Sequence, residues 1–426
     1  MNSTLQKTIL IAALASVACT SAMAQAPRFR EDLVVDRAGN SFLSMSLSPT
    51  GTVYAAVVNA SGQLAHCQAL SALGRVQPRR DAEGFLVLSL PATTGSFQLE
   101  RWNALGQVDW RHPTPGRDFA ATADGGAALW EESNIGPVGG NFWTQLLRLD
   151  ADGALRWRTL LYSNYGTTGA VDLHEDRYGR IHFAARSRMN FGFPGNPAGT
   201  VRLGMVNADG GPGWLHQEAR AQGAASALLD NGAGDLWWHL GADLLHPSQL
   251  QRWTPWGMPL AVYYGPALVP GTEIIEPALD SRDALWYLAY SPTRDHELVR
   301  VGTAGLEARN LLDVRTSYRL GSDGRFNQFS TRLSVAAGSA WVAGSRNGVV
   351  DELTVERYTS DGLAMQRRVP GQARVLGLVA TPADDARLLM EDPSGQGWLA
   401  RLTPRRGEES WRVSGQALYE ACLAHP

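Results

Sequence analysis

The stretch Arg101-Trp-Asn-Ala-Leu-Gly106-Gln-Val-Asp-Trp110 contains the pattern R-φ-x-x-x-G-x-x-x-W, in which φ is an apolar residue. The complete pattern recurs once, halves of it recur in five further places, and a degraded copy precedes them all. The turn glycines of these eight copies are Gly74, Gly106, Gly153, Gly210, Gly257, Gly305, Gly362 and Gly407. Their spacing of 32 to 57 residues, about 48 on average, indicates that one supersecondary unit is repeated along the chain.

A second short pattern precedes each copy: a turn followed by a run of aromatic and β-branched residues. One example runs from Asp124-Gly125 to Leu129-Trp130. Runs of this kind, bounded by glycine with aspartate or asparagine, are strands joined by tight turns. Each unit is therefore predicted to contain four antiparallel strands. Eight such units predict an all-β protein, a β-propeller of four-stranded antiparallel blades.

The order of the units along the chain defines the domains. We assign four segments: residues 1–24 as a signal peptide, 25–40 as an N-terminal strand or extension, 41–414 as an eight-bladed propeller, and 415–426 as a C-terminal closing tail.

Ring closure leaves an alternative count of blades. Seven blades result if the first unit, 41–78, is a partial sheet completed by the C-terminal strand after Trp411. The N-terminal segment 29–35 and the tail 415–423 both compete for the edge next to blade 1, because closure exists to remove such an edge.

The N-terminus has the features of a secretory signal. Lys7 precedes an apolar run from Thr8 to Ala18, and small residues end at Ala22-Met-Ala24. The pattern predicts cleavage after Ala24 and a protein that is periplasmic or secreted. The use of arginine in place of lysine suggests a GC-rich bacterial genome. A membrane anchor is the alternative, but the run is shorter than the roughly 20 residues that span a bilayer.

A second alternative for the N-terminus is lipidation at Cys19, which would make the protein a lipid-anchored assembly factor. Ser16 stands where a lipoprotein signal usually has leucine, which argues against this alternative.

Cys67 and Cys422 are the two cysteines left after cleavage. They lie near opposite ends of the mature chain, which a circular fold brings together. An exported protein meets an oxidising compartment, so a disulfide between them is one expectation. Two separately buried thiols are the other.

The basic residues exclude several kinds of chemistry. Lys7 is the single lysine, so the mature chain has no side-chain amine for a Schiff base, pyridoxal phosphate or a phosphate-binding loop. The mature chain has 37 arginines against 41 acidic residues, a net charge of −4. Without a basic excess, nucleic acid is not an expected partner. We expect a monomer without a transmembrane segment.

The turn-G-x-x-x-W repeat, as in Gly106 with Trp110, resembles the tryptophan-docking motif of the bacterial quinoprotein-like propellers. That family includes pyrroloquinoline quinone (PQQ) dehydrogenases and the propeller subunit of the outer-membrane barrel-assembly machinery. The resemblance covers nearly the whole mature chain and implies blade architecture. The dehydrogenase branch adds adjacent cysteines and a calcium site, and this sequence has neither pattern. Segment 207–214 is also similar to an Asp-box of sialidase-type propellers, itself a structural turn.

The topology predicts where a binding surface lies. The first-to-second and third-to-fourth strand turns are tight and share one face, so the longer connections emerge on the other. Two consecutive blades have long second-to-third loops, 131–144 and 186–200. The candidate contact residues on these loops and the nearby connection are Phe142, Trp143, Tyr162, Tyr165, Asn190, Phe191 and Phe193. Exposed aromatic rings on loops suit a protein or sugar partner; packing onto the rim of the disc is the alternative.

Residues for catalysis do not form a recognisable motif. The nine histidines are scattered, and neither a zinc motif nor a G-x-S-x-G elbow occurs. Glu175 and Asp176 beside His174 form the densest titratable group, and we expect them to face solvent before a turn. We therefore predict no catalytic, cofactor-binding or metal-binding residue.

These observations favour an exported, non-enzymatic propeller that binds a protein or carbohydrate through its loop-rich face. The alternative is a propeller enzyme acting on sugars or alcohols, either a quinoprotein-like oxidoreductase or a lyase or hydrolase. A propeller can also assemble a site from one residue per blade around its central channel, a pattern that one sequence does not reveal.

Overall fold

The computed structural model describes residues 27–30, 32–47, 51–91, 96–116, 118–134, 141–165, 168–187, 198–221, 226–230, 235–241, 248–264, 273–291, 294–302, 305–312, 319–320, 326–327, 331–345, 352–404 and 408–424. No helix in these ranges has both the length and the apolar character needed to cross a membrane.

The described chain consists of strands, with one helix at the C-terminal end. The strands of the first half are β1 (Arg28–Phe29), β2 (Val34–Val35), β3 (Ser41–Ser46), β4 (Val53–Val58), β5 (Leu64–Pro78), β6 (Phe85–Pro91), β7 (Gln98–Trp102), β8 (Val108–Pro113), β9 (Asp118–Ala121), β10 (Ala127–Asn134), β11 (Asn141–Leu149), β12 (Leu155–Tyr165), β13 (Thr168–Glu175), β14 (Ile181–Ser187), β15 (Ala198–Val206) and β16 (Pro212–Ala221).

The second half continues the same arrangement. Its elements are β17 (Ser226–Asp230), β18 (Leu236–Leu240), β19 (Gln249–Trp253), β20 (Pro259–Tyr264), β21 (Glu273–Leu279), β22 (Leu285–Ser291), β23 (Arg294–Gly302), β24 (Gly305–Leu311), β25 (Arg319–Leu320), β26 (Phe326–Asn327), β27 (Arg332–Ala336), β28 (Ser339–Ser345), β29 (Glu352–Thr359), β30 (Gly362–Pro370), β31 (Arg374–Ala380), β32 (Ala386–Glu391), β33 (Gly397–Leu402), β34 (Glu409–Ser414) and the helix α1 (Gly415–Ala424).

Antiparallel pairing groups these strands into blades. Six sheets have four consecutive strands each, and β25 pairs with β26. An eight-stranded sheet at the N-terminus contains the long strand β5, which pairs with β4 up to Leu70 and with β6 from Leu70 onward. Dividing that sheet at Leu70 gives two further four-stranded units, the first with β1 and β2 together on one edge of β3. We number the units blades 1 to 8 in chain order; the count of eight stays a prediction.

The sheets pack face to face, and the apolar core lies between them. One cluster joins Val201 and Leu203 of blade 4 to Leu228, Leu236 and Trp238 of blade 5. The innermost strands of successive blades contact one another, β5 with β9, β9 with β13 and β13 with β17. This arrangement of antiparallel sheets around an axis is a β-propeller, as the repeats predict.

Ring closure uses contacts between blades 8 and 1. A Cβ atom added at Gly377 in β31 would lie 2.8 Å from Leu33 Cβ, just before β2. Arg387 donates from Nη2 to the carbonyl oxygen of Gly39 at 3.0 Å. Cys67 and Cys422 form a disulfide, so the pairing that the sequence left open is present. The N-terminal strands, not the tail, occupy the edge of β3.

One local expectation was wrong, and one of the two candidates for the edge next to blade 1 does not form a strand. Gly74, taken as the turn glycine of the first unit, lies inside β5, and the actual turn is Asn59–Gln63 with Gly62 at a φ of 88°. The tail is not an edge strand: residues 415–424 form α1, whose Leu418 and Cys422 are buried against blades 8 and 1. The helix was missed because no helical periodicity stands out in so short a segment.

The repeated glycine and tryptophan meet between neighbouring blades. A Cβ atom at Gly153 would lie 2.8 Å from Trp110 Cδ2, and Trp110 Nε1 donates to Ala151 O at 2.8 Å. Three further tryptophans dock in the same way: Trp157 on Gly210, Trp214 on Gly257, and Trp411 on Gly62. The last contact links blade 8 to blade 1. His66 takes the tryptophan's place against Gly106.

Candidate functional site

The two faces of the disc differ in how their connections are built. Turns such as Thr122–Gly126 and Asp150–Ala154 are closed by backbone hydrogen bonds, and their aspartates accept further bonds from the turn. We call the side with these turns the turn face. The second and fourth strands of each blade end on the opposite side, which we call the loop face.

Among the described residues, blades 3 and 4 have the longest outermost strands. Their strands β12 and β16 have 11 and 10 residues, whereas β30 of blade 7 has nine, β24 of blade 6 has seven, and those of blades 2, 5 and 8 have six. All of these strands start at the turn face, so the additional four or five residues lengthen the sheet at the other end. At about 3.3 Å per residue the extension is roughly 13–16 Å.

Of the predicted contact residues, two have described side chains. Trp143 is 48% exposed and pairs with Ser163 on the extended part of β12. Tyr162 is half-buried: its ring lies 6.1 Å from that of Trp130, and the Arg202 guanidinium lies 4.3 Å above it. Tyr162 therefore packs between blades 3 and 4, whereas Trp143 is exposed.

The other predicted residues are not brought into a described site. Phe142 and Tyr165 lie in β11 and β12, but their side chains are outside the described part of the structure. Asn190, Phe191 and Phe193 lie outside the described residues altogether.

Charged residues recur at one level of the innermost strands. The last paired residue of each innermost strand marks a common level, for example Pro78 opposite Phe85 and Ala121 opposite Ala127. Counting three positions back from it in each blade gives Asp32, Arg75, Asp118, Asp172, Ala227, Glu276, Leu333 and Gly377. Five of these eight are charged, four of them acidic. We call this set the channel layer.

Three neighbouring members of the channel layer form an ion-pair cluster. Arg75 of blade 2 places Nη1 2.5 Å from Asp118 Oδ1 and Nη2 2.9 Å from Asp172 Oδ1. Burial raises the pKa of Asp118 to about 6, and Asp172 adds to that rise while Arg75 opposes it. One guanidinium thus serves two carboxylates, and the cluster carries excess negative charge when both are ionised.

Two carboxylates of the channel layer accept hydrogen bonds from backbone amides on the open edges of neighbouring innermost strands. Asp172 Oδ2 accepts the Leu228 amide of the next blade at 2.9 Å, and Glu276 Oε2 accepts the Leu333 amide at 2.5 Å. An innermost strand has an unpaired edge, so a side chain from the neighbouring blade takes the role of a fifth strand. The structural role and a ligand-binding role are compatible, because Arg75 and Asp172 remain 34% and 22% exposed.

The expectation that Glu175 and Asp176 face solvent was wrong. Both are buried, at 3% and 1% exposure. Glu175 joins blades: it accepts from the Ala123 amide at 2.5 Å and lies 3.2 Å from Arg148 Nη2. His174 Nε2 lies 2.5 Å from Asp230 Oδ2 of blade 5. Among the described residues, no group of three histidine, cysteine or acidic side chains is arranged to hold a metal ion.

Asp118→Asn tests the raised pKa. Because the folded-state pKa of about 6 exceeds the unfolded value of 3.8, the stability that Asp118 contributes is fully present below about pH 4 and is lost as the pH rises through 6. At about 1.4 kcal/mol per pKa unit, the shift corresponds to at most about 3 kcal/mol. The measurement is denaturant unfolding of both proteins at pH 4 and pH 7. As the pH rises over this range, we expect the free energy of unfolding of Asp118→Asn to increase by about 1–3 kcal/mol relative to that of wild type. A pH-independent difference contradicts the assignment.

Fold and site together define a β-propeller with one asymmetric sector, blades 2 to 4, where the channel cluster and the extended strands coincide. No protein-family model and no curated protein sequence matches this chain.

Solved structures resemble the chain in fold. A eukaryotic initiation factor is 10% identical over 91% of this chain and 88% of its own, with a TM-score of 0.52. The apo form of prolyl oligopeptidase B from Galerina marginata is 8% identical over 89% of this chain, with a TM-score of 0.51. A prolyl endopeptidase is 12% identical with a TM-score of 0.51. This chain spans little more than half the length of the two peptidases, 56% and 54%. These similarities concern the fold.

Proposed function

We propose that this protein is an exported, non-enzymatic β-propeller that binds a protein or carbohydrate partner through the loop face of blades 3 and 4. The observation that carries the proposal is the lengthening of β12 and β16 to 11 and 10 residues at that face. Blades 2, 5 and 8 have outermost strands of six residues, so the additional length is not required to close the ring, and it raises a paired edge toward a partner.

Two further contacts support a rigid binding edge. Trp143 presents an exposed indole on β11, and tryptophan is enriched among residues that dominate binding energy. The Arg202 guanidinium over the Tyr162 ring joins blade 4 to blade 3 at 4.3 Å, so the two extensions are held together. A preorganised surface loses less entropy on binding.

The partner experiment compares four forms of the protein without residues 1–24. They are wild type, Trp143→Ala, Leu105→Ala, and a variant whose loops 135–140 and 188–197 are each replaced by Asn-Gly. Each is tested on a glycan array and against an envelope extract of the producing bacterium, and any hit is measured by calorimetry. We expect Trp143→Ala to weaken binding at least tenfold and the short-loop variant to abolish it.

Leu105→Ala is the control, because Leu105 is 62% exposed in a turn on the opposite face. Binding that survives loop replacement, or that is lost equally in Leu105→Ala, would contradict the assignment to this face. Circular dichroism of each variant separates loss of the site from loss of the fold.

The channel cluster favours a second candidate, a propeller enzyme acting on sugars as a hydrolase or lyase. A carboxyl group whose pKa is about 6 can give or take a proton near neutral pH, and Asp118 is such a group. On this candidate Asp118 is the acid or base and Arg75 orients the substrate. Turnover of nitrophenyl glycosides or acidic oligosaccharides by wild type, lost at least 100-fold in Asp118→Asn, supports it; no turnover across the panel contradicts it.

A further inference from the structure

Most arginines of the repeated motif form ion pairs at the turn face. The arginine before the turn glycine pairs with an acid in several blades: Arg148 with Asp124 at 2.6 Å and Arg252 with Asp235 at 3.0 Å are examples. In blade 4 this position is Met205, five residues before Gly210. The guanidinium at this junction comes instead from Arg180, at the end of the first-to-second strand turn of the same blade.

Arg180 lies between two aromatic rings. Its guanidinium carbon is 4.9 Å from the centre of the Tyr178 ring and 4.4 Å from that of Trp256. Trp256 belongs to the third-to-fourth turn of blade 5, so the stack crosses the junction between blades 4 and 5. Tyr178 and Trp256 are 55% and 67% exposed, whereas Arg180 is 5% exposed. Two largely exposed rings thus cover a buried cation.

The hydrogen bonds of Arg180 are incomplete. Nε donates to Asp176 Oδ2 at 2.6 Å, and Nη2 lies 2.6 Å from the same oxygen. Nη1 is buried and has no hydrogen-bond partner among the described residues. A buried donor without an acceptor destabilises the fold, and more strongly when the donor is charged. Such a group in a native fold needs an explanation, and an absent ligand is one.

The charges of this junction favour an anion. Asp176 already accepts bonds from the amides of Tyr178 and Arg180 and from His182 Nε2 at 3.1 Å. Arg177 adds a second cation, with its guanidinium 4.8 Å from the centre of the Tyr178 ring. Asp176 thus already accepts hydrogen bonds from the turn and from His182. The buried donor that is left without an acceptor in the described part of this junction belongs to Arg180.

We propose that Arg180, Tyr178 and Trp256 form a binding site on the turn face for a sugar that carries a carboxylate. A carboxylate is the planar acceptor that suits a guanidinium, and the exposed aromatic faces suit the apolar C–H face of a pyranose ring. The site is independent of the loop face, which is on the other side of the disc.

The test is fluorine NMR of protein containing 5-fluorotryptophan, with the Trp256 signal assigned from Trp256→Phe. We titrate D-glucuronate, D-glucose and acetate. We expect glucuronate to shift the Trp256 signal saturably, and glucose and acetate to bind at least tenfold more weakly. Arg180→Gln is expected to weaken glucuronate binding at least tenfold, while Arg156→Gln, an exposed arginine of the same face, binds as wild type.

Several results overturn the proposal. Equal binding of glucose removes the role of the carboxylate, equal binding of acetate removes the role of the sugar ring, and unchanged binding by Arg180→Gln removes the site. If Arg180→Gln does not fold, Trp256→Ala serves instead: its side chain is exposed, and we expect at least a threefold loss of affinity. Trp143→Ala must leave glucuronate binding unchanged, which separates this site from the loop face.

Discussion

Replacing both Cys67 and Cys422 with alanine will lower the free energy of unfolding by about 5 kcal/mol. The two cysteines are 355 residues apart, so the disulfide closes most of the chain into one loop. In the chain-entropy model a bond that closes so long a loop restricts the unfolded state strongly, by about 5 kcal/mol. The measurement is denaturant unfolding of wild type and of the double variant at equal pH and salt.

The folded state contributes to the same effect. Cys422 lies on α1, whose Leu418 packs with Leu43 of blade 1 and Leu399 of blade 8. The Tyr54 and Tyr419 rings meet edge to face at 5.1 Å. The bond therefore also holds the helix over the junction where the ring closes.

Reductant provides the control for the disulfide. Wild type treated with dithiothreitol should lose about the same stability as the double variant, and the variant should not respond to reductant. Equal stability of wild type and variant in oxidising buffer would mean that the remaining contacts of blades 8 and 1 close the ring unaided.

Gly153→Ala will lower the free energy of unfolding by about 2–4 kcal/mol. Gly153 has a φ of 79°, where a Cβ atom costs about 1–2 kcal/mol. The added methyl would also lie 2.8 Å from Trp110 Cδ2, and such overpacking costs a further 1–3 kcal/mol. The variant should also lose near-ultraviolet circular dichroism, because the Trp110 indole is displaced from its dock.

Gly362→Ala is the matched control. Gly362 occupies the same place in the repeat with a φ of 104°, but a Cβ atom there would have no described heavy atom within 4 Å. We expect it to cost only the backbone penalty of about 1–2 kcal/mol. If both variants lose the same stability, tryptophan docking contributes nothing beyond the backbone penalty.

The blade pattern was predictable because it is local. A turn glycine at positive φ and the aspartate that accepts the turn amides, as in Asp150 with Gly153, act within five residues. The first blade shows the limit of that reasoning. Its dock uses His66 in place of tryptophan and its turn uses Asn59, so a search for the motif found Gly74 and missed Gly62.

The channel cluster was not predictable from spacing. Arg75, Asp118 and Asp172 lie 43 and 54 residues apart in sequence, and each is an ordinary charged residue in its own strand. Only the register of the innermost strands brings them to one level. A signal existed in retrospect, since each stands three positions before the last residue of its strand.

The sequence by itself determined strands, turns and the repeated unit, because glycine conformation, aspartate turns and alternating apolar residues act over a few neighbouring residues. The tertiary structure alone decided which blades meet. The Cys67–Cys422 bond, the ion pairs of Arg75 and the stack of Arg180 between Tyr178 and Trp256 all join residues from different blades. Such contacts depend on how each sheet packs on the next, and that packing follows from the shape of the whole ring.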